Sequence, residues 1–84
     1  MRSEDVQEFV LRRPFEPFRL TLTDGTNYDI HHPEMAMIGF SRITLGLPRP
    51  SGPDRVFDRV VVESLSHVMQ IEPLETASSK DSAS

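Results

Sequence analysis

No cysteine occurs in the 84 residues, which removes a disulfide scaffold and a cysteine-ligated zinc finger. Tryptophan is absent, and Lys80 is the only lysine. No apolar tract approaches the ~20 residues needed to cross a bilayer. The opening segment MRSEDVQEF is acidic and has no long apolar core, so no secretion signal is expected. The expectation is a soluble, cytoplasmic protein with no membrane partner. Nucleotide-binding glycine motifs are missing as well. The four glycines are scattered, and no strand-GxGxxG-helix unit exists. There is no Gly-x-Ser-x-Gly elbow and no internal repeat.

What is present is 37% hydrophobic and 26% charged residues, seven prolines and a net charge of −4. Chains that bind nucleic acid over a broad surface are usually basic, since phosphate neutralisation dominates that affinity. The acidic balance disfavours RNA without excluding a local patch. The last ten residues, ETASSKDSAS, hold four serines and no aromatic. Residues 75–84 are therefore expected to form a disordered tail, and residues 1–74 a single small domain. A core built from about 74 residues is marginal alone. With neither disulfide nor metal to support it, homo-oligomerisation is the expected remedy.

Ser3 is a candidate N-cap, and Glu4 and Asp5 suit the positive end of a helix dipole. Val6, Phe9, Val10 and Arg13 follow at helical spacing, which predicts a short amphipathic helix over about residues 3–13, ended by Pro14. Phe18, Leu20 and Leu22 alternate with Arg19, Thr21 and Thr23, the period of a half-buried strand. Asp24-Gly25 predicts a hairpin with a type I′ turn, returning over residues 26–30 with Tyr28 and Ile30 on one face. His31-His32-Pro33-Glu34 breaks the pattern. Further strands are expected over residues 35–38, 42–47, 55–63 and 68–71, with a proline-rich loop at 48–54 and a tight turn at 64–67. The fold class expected is mainly β: an N-terminal helix, then about five short antiparallel strands in a small barrel. Val60, Val61 and Val62 stand in a row, so both faces of their strand are apolar. A lone small barrel has one interior, so the outer valines call for the helix or a neighbouring subunit.

Two resemblances appear at this point. The run Arg13-Pro14-Phe15-Glu16-Pro17-Phe18-Arg19-Leu20, with Asp24-Gly25 and His32-Pro33-Glu34, resembles a family of short bacterial proteins of unknown function. It implies no activity. The leading helix, the strand ending in Asp24-Gly25, and Val60-Val61-Val62-Glu63-Ser64-Leu65-Ser66-His67-Val68 resemble the Sm/LSm-type and SH3-like barrel. That resemblance implies a ring made by pairing edge strands between neighbours, with RNA bound at its inner loops. The residues that bind RNA in that pattern have no counterparts here. Asn27 to Ile30 fill the stretch where a glycine is expected, and His31 to Met35 hold no Asp…Asn pair.

His31, His32 and Glu34, with His67, are the metal-ligating types. Adjacent residues on extended backbone point to opposite sides, so a structural turn is expected, and no metal or cofactor. His31 and His32 remain candidates for a ligand-binding turn. Ser66, His67 and Asp58 or Glu63 supply the residue types of a triad but none of its signatures. The Ser66 hydroxyl is expected to serve the turn's backbone. Phe15, Phe18, Tyr28 and Phe57 with Arg19 and Arg42 offer a stacking platform, but Phe18 and Tyr28 are read here as core or cross-strand partners, and Phe15 as an anchor into the barrel or into a neighbour. Met35, Met37 and Met69 are expected to fill the core. The resulting expectation is no enzyme. The chain reads as a self-associating β-barrel interaction module, with Phe15, Val60, Val61 and Val62 as candidate interface residues. The alternative is an Sm-like RNA-binding ring.

Overall fold

A computed structural model describes residues 1–53 and 55–75. The chain runs from helix α1 (Ser3–Val10) through β1 (Phe18–Leu22), β2 (Asn27–Ile30), a 3-10 turn (Pro33–Met35), β3 (Ala36–Ile38), β4 (Arg42–Pro48), β5 (Phe57–Ser64), a second 3-10 turn (Leu65–His67) and β6 (Val68–Pro73). The mainly β expectation with a leading helix holds, and each of the six stretches read as strands forms one. They form two antiparallel three-stranded sheets, β2-β1-β6 and β3-β4-β5. The segments containing the 3-10 turns carry the chain from one sheet to the other.

The core lies between the sheets because β1 and β4 each show one face to it. Phe18, Leu20 and Leu22 of β1 are buried, as are Ile43 and Leu45 of β4. Ile30, Met35, Leu65 and Val68 complete the core, and Val6 closes it from the helix. No charged or polar residue joins them among the described residues.

Helix α1 is shorter than expected, and its cap differs. Arg2, not Ser3, is the N-cap, and the Asp5 carboxylate accepts the Arg2 backbone N–H at 3.3 Å. The far end stops at Val10, four residues before Pro14. Arg13 folds back there, and its guanidinium donates to the carbonyls of Val10 and Arg12 at 3.0 and 2.7 Å. These bonds satisfy carbonyls that a helix end leaves open.

The hairpin stands, but its turn is not type I′. Asp24 does not adopt positive φ; Gly25 alone does, at +90°. Gly25 N–H donates to Leu22 C=O, and Leu22 N–H donates to Thr26 C=O. That is a three-residue loop, a tight turn followed by a left-handed glycine. Only the third position needs the left-handed region, and the glycine occupies it.

Several strand boundaries move. Met35 belongs to the first 3-10 turn rather than to a strand, and its sulfur accepts the His31 backbone N–H at 3.4 Å. β4 extends to Pro48, and β5 begins at Phe57 rather than at residue 55. β6 runs on to Pro73 instead of ending at Ile71. The expected disordered tail falls almost wholly on residues 76–84, outside the described residues.

Candidate functional site

β4 puts Ile43 and Leu45 on the inner face, so Thr44 and Gly46 look outward. The registers then assemble a row on that outer face. Met37 of β3 lies opposite Thr44, Val62 of β5 opposite Thr44 on the other side, and Val60 opposite Gly46. Met37, Val60 and Val62 are 72%, 63% and 57% exposed. At the bulge between Leu47 and Pro48 the pairing shifts, and the Phe57 ring falls across Gly46. A Cβ at Gly46 would lie 2.5 Å from that ring. The outer face of the second sheet is thus an apolar strip with no charge along Met37, Thr44, Val62, Val60 and Phe57.

Val61 faces the other way. It sits opposite Leu45 and packs half-buried against the core. The valine run therefore splits as expected, one residue inward and two outward. Helix α1 does not cover the outer pair, because its own apolar side is spent on the core. Val6 is fully buried there, and Phe9 packs on Phe18 with ring centroids 5.4 Å apart.

Phe15 behaves differently from the valines. It lies half-buried, edge-on to Phe18 at 6.0 Å. It also lines a shallow hollow with Pro17, Pro73 and Leu74.

The chemistry-bearing groups are dispersed. His32 Nδ1 lies 3.3 Å from the Arg55 guanidinium, whose Nε holds Glu34 at 3.1 Å. His31 is exposed, and among the described residues no three His, Asp or Glu side chains gather around one point. Asp58 is held by Arg49 at 3.0 Å. Ser66 lies beyond the other end of β5, with its Oγ 2.8 Å from Ser64 Oγ. His67 and Glu63 line one hollow and Ser66 another. The residue types of a triad are not brought together. It is Ser64, not Ser66, whose oxygen accepts a turn N–H, that of Ser66 at 3.3 Å.

The proposed stacking platform does not form as one surface. Phe18 is fully buried. Tyr28 is half-buried, with its hydroxyl donating to Glu63 at 3.1 Å. Burial and the Glu63 carboxylate together hold the Tyr28 hydroxyl above its ordinary value. Arg19 grips Asp29 through two contacts of 2.7 and 3.4 Å. Arg2, Arg12, Arg49 and Arg55 also pair with acids in the chain.

Sequence reasoning missed two features. Met37 and Met69 were expected in the core, yet both are exposed, and only Met35 is buried. The signal for Met37 lay in its phase opposite Thr44. Phe40, 97% exposed, drew no attention, since it sits between a glycine and a serine outside any periodic run. Compared with family models, curated proteins and solved structures, the chain matches none.

Proposed function

We propose that this chain is a non-enzymatic interaction module that associates with copies of itself through its second sheet. The observation that carries the reading is the outward row of Met37, Val60 and Val62 beside an open strand edge. β5 ends its sheet and pairs only with β4. Edge strands in monomeric proteins are usually blunted by charged side chains, above all lysine, by proline or by a bulge. β5 carries charge only outside its valine run, with Arg59 and Glu63 at the two ends. Residues 59–64 of β5 contain no lysine, proline or bulge. Sedimentation velocity from micromolar to millimolar protein tests the reading. The coefficient is expected to rise with concentration, and a constant monomer value throughout would end it.

The Sm-like ring is the second reading, favoured by one observation. β1 pairs with both β2 and β6, and a 3-10 turn joins β5 to β6. That supports an Sm-like barrel order, with the first strand central to one sheet. RNA binding has less support, because five of the arginines are already paired with acids and the net charge is −4.

A further inference from the structure

We infer that self-association is twofold, with β5 lying antiparallel against β5 of a second copy in a register centred on Val61. The inference rests on the self-association proposed above and specifies its geometry. A twofold axis normal to a sheet keeps each side chain on its own face. Residues directly opposite each other in a sheet also share a face. Only registers centred on a residue meet both conditions, because a register centred between residues would oppose inner side chains to outer ones.

Three centres are available within the valine run. Centring on Val60 sets Asp58 against Val62 and Glu63 against Phe57. Centring on Val62 sets Glu63 against Val61. In the first register Asp58 and Glu63, and in the second Glu63, face an apolar residue of the other copy, and neither register sets an acid opposite an arginine. Centring on Val61 sets Val61 against itself, Val60 against Val62, and Arg59 against Glu63. The segment Arg59-Val60-Val61-Val62-Glu63 is complementary to itself when reversed. Each dimer gains two Arg59–Glu63 pairs, and opposite charges directly across a strand pair are favourable. Asp58, which falls against Ser64, is already held by Arg49 within its own chain.

The two three-stranded sheets then become one of six strands. The outer face carries Val60 and Val62 of both copies side by side, continuous with Met37 at either flank. The open N–H and C=O groups of the β5 edge, otherwise left to water, find partners. A twofold contact of this kind closes on itself and stops at two chains, unlike a ring.

The absence of native cysteine allows a direct test. Val60→Cys, Val61→Cys and Val62→Cys are made singly, and each is oxidised at a concentration where the wild type associates. Val61→Cys is expected to form a disulfide-linked dimer, since directly opposed residues lie within disulfide reach in either type of antiparallel pair. Val60→Cys and Val62→Cys are expected to stay largely uncrosslinked, because each opposes the other's position. Faster linkage at residue 60 or 62 overturns the register. Arg59→Glu, checked for folding by its thermal midpoint, is the second arm. It sets carboxylate against carboxylate at both ends of the pairing and is expected to weaken the dimer at least about tenfold. A wild type that associates with no linkage at Val61, or with no response to Arg59→Glu, overturns this geometry and leaves self-association standing. A wild type monomeric to millimolar concentration overturns both.

Discussion

Leu20 sits where the loss of a few methyl groups weighs most. It is fully buried at the centre of β1, with Tyr28 opposite on one side and Ile71 on the other. Leu20→Ala is expected to cost about 3 kcal/mol, a large share of the roughly 5–15 kcal/mol that holds a domain folded. Urea titration reads this as a lower midpoint, and an unchanged midpoint would mean that β1 is not the core strand. Gly46 presents the reverse problem. A methyl group there meets the Phe57 ring, so Gly46→Ala must push the ring off the sheet. The expected loss is about 1 kcal/mol, read in the same titration, and a gain in stability would show that Phe57 does not lie across Gly46.

Asp24 gives the hairpin a dependence on acid. Its carboxylate accepts the Thr26 backbone N–H at 2.9 Å. That bond, aided by the Thr26 side chain, lowers its pKa below the ordinary 3.8. Between 3.8 and the lowered value the unfolded chain takes up a proton that the folded hairpin refuses. Stability from this group is therefore present above 3.8 and falls as pH drops through the window. Asn accepts the same bond without titrating, so Asp24→Asn is expected to flatten this part of the profile. Urea midpoints on either side of pH 3.8 check it, and identical pH profiles for the two chains would discard the role. Tyr28 works in the opposite sense. Its raised pKa makes its contribution complete below the ordinary 10.0 and lost as pH rises beyond it.

Among the elements, the regular strands were legible and the joints were not. Phe18, Leu20 and Leu22 announce β1 by strict alternation, and all three are buried. Ile43 and Leu45 do the same for β4. The three-valine run declared its two faces correctly, since its phase against Leu45 and Gly46 follows from the pleat. The turns escaped because their geometry depends on a single dihedral or a partner far along the chain. Asp24-Gly25 fits either of two hairpin turns, and only the φ of Asp24 separates them. Met35 reads as strand by residue type, yet Pro33 starts a 3-10 turn that tucks it inward. Helix α1 ends at Val10, whose carbonyl accepts the Arg13 guanidinium, a side-chain contact that spacing does not reveal. Of the candidate interface residues, the outward valines stay uncovered within the chain while Phe15 folds back on Phe18. The helix contributes mainly through Val6. Val6→Ala is expected to cost about 2 kcal/mol and to loosen α1 from the sheets, seen as a loss of ellipticity before the main thermal transition. Full helical signal up to that transition would show that α1 is held by something else.

Over the whole molecule, the distribution of charge and apolar surface favours the proposed contact with a like chain over contact with a polyanion. The paired arginines stand at the two ends of α1, on β1 and in the loops beside acids. Of the exposed apolar side chains, Met37, Phe57, Val60 and Val62 share the second sheet, while Leu11, Phe40, Val56 and Met69 are exposed elsewhere. Single-stranded RNA is accordingly expected to show no retention in low-salt filter binding at tens of micromolar protein, a regime in which non-specific phosphate contacts already register. Strong retention that weakens steeply with salt would return the ring reading to first place. The central claim is that a second copy covers the open edge of β5. Amide hydrogen exchange of residues 59–63, followed at low and high protein concentration, tests it most directly. Protection of the outward-pointing amides is expected to rise with concentration while the amides shared with β4 stay slow throughout. Exchange at those outward amides that is equally fast at every concentration would contradict the account.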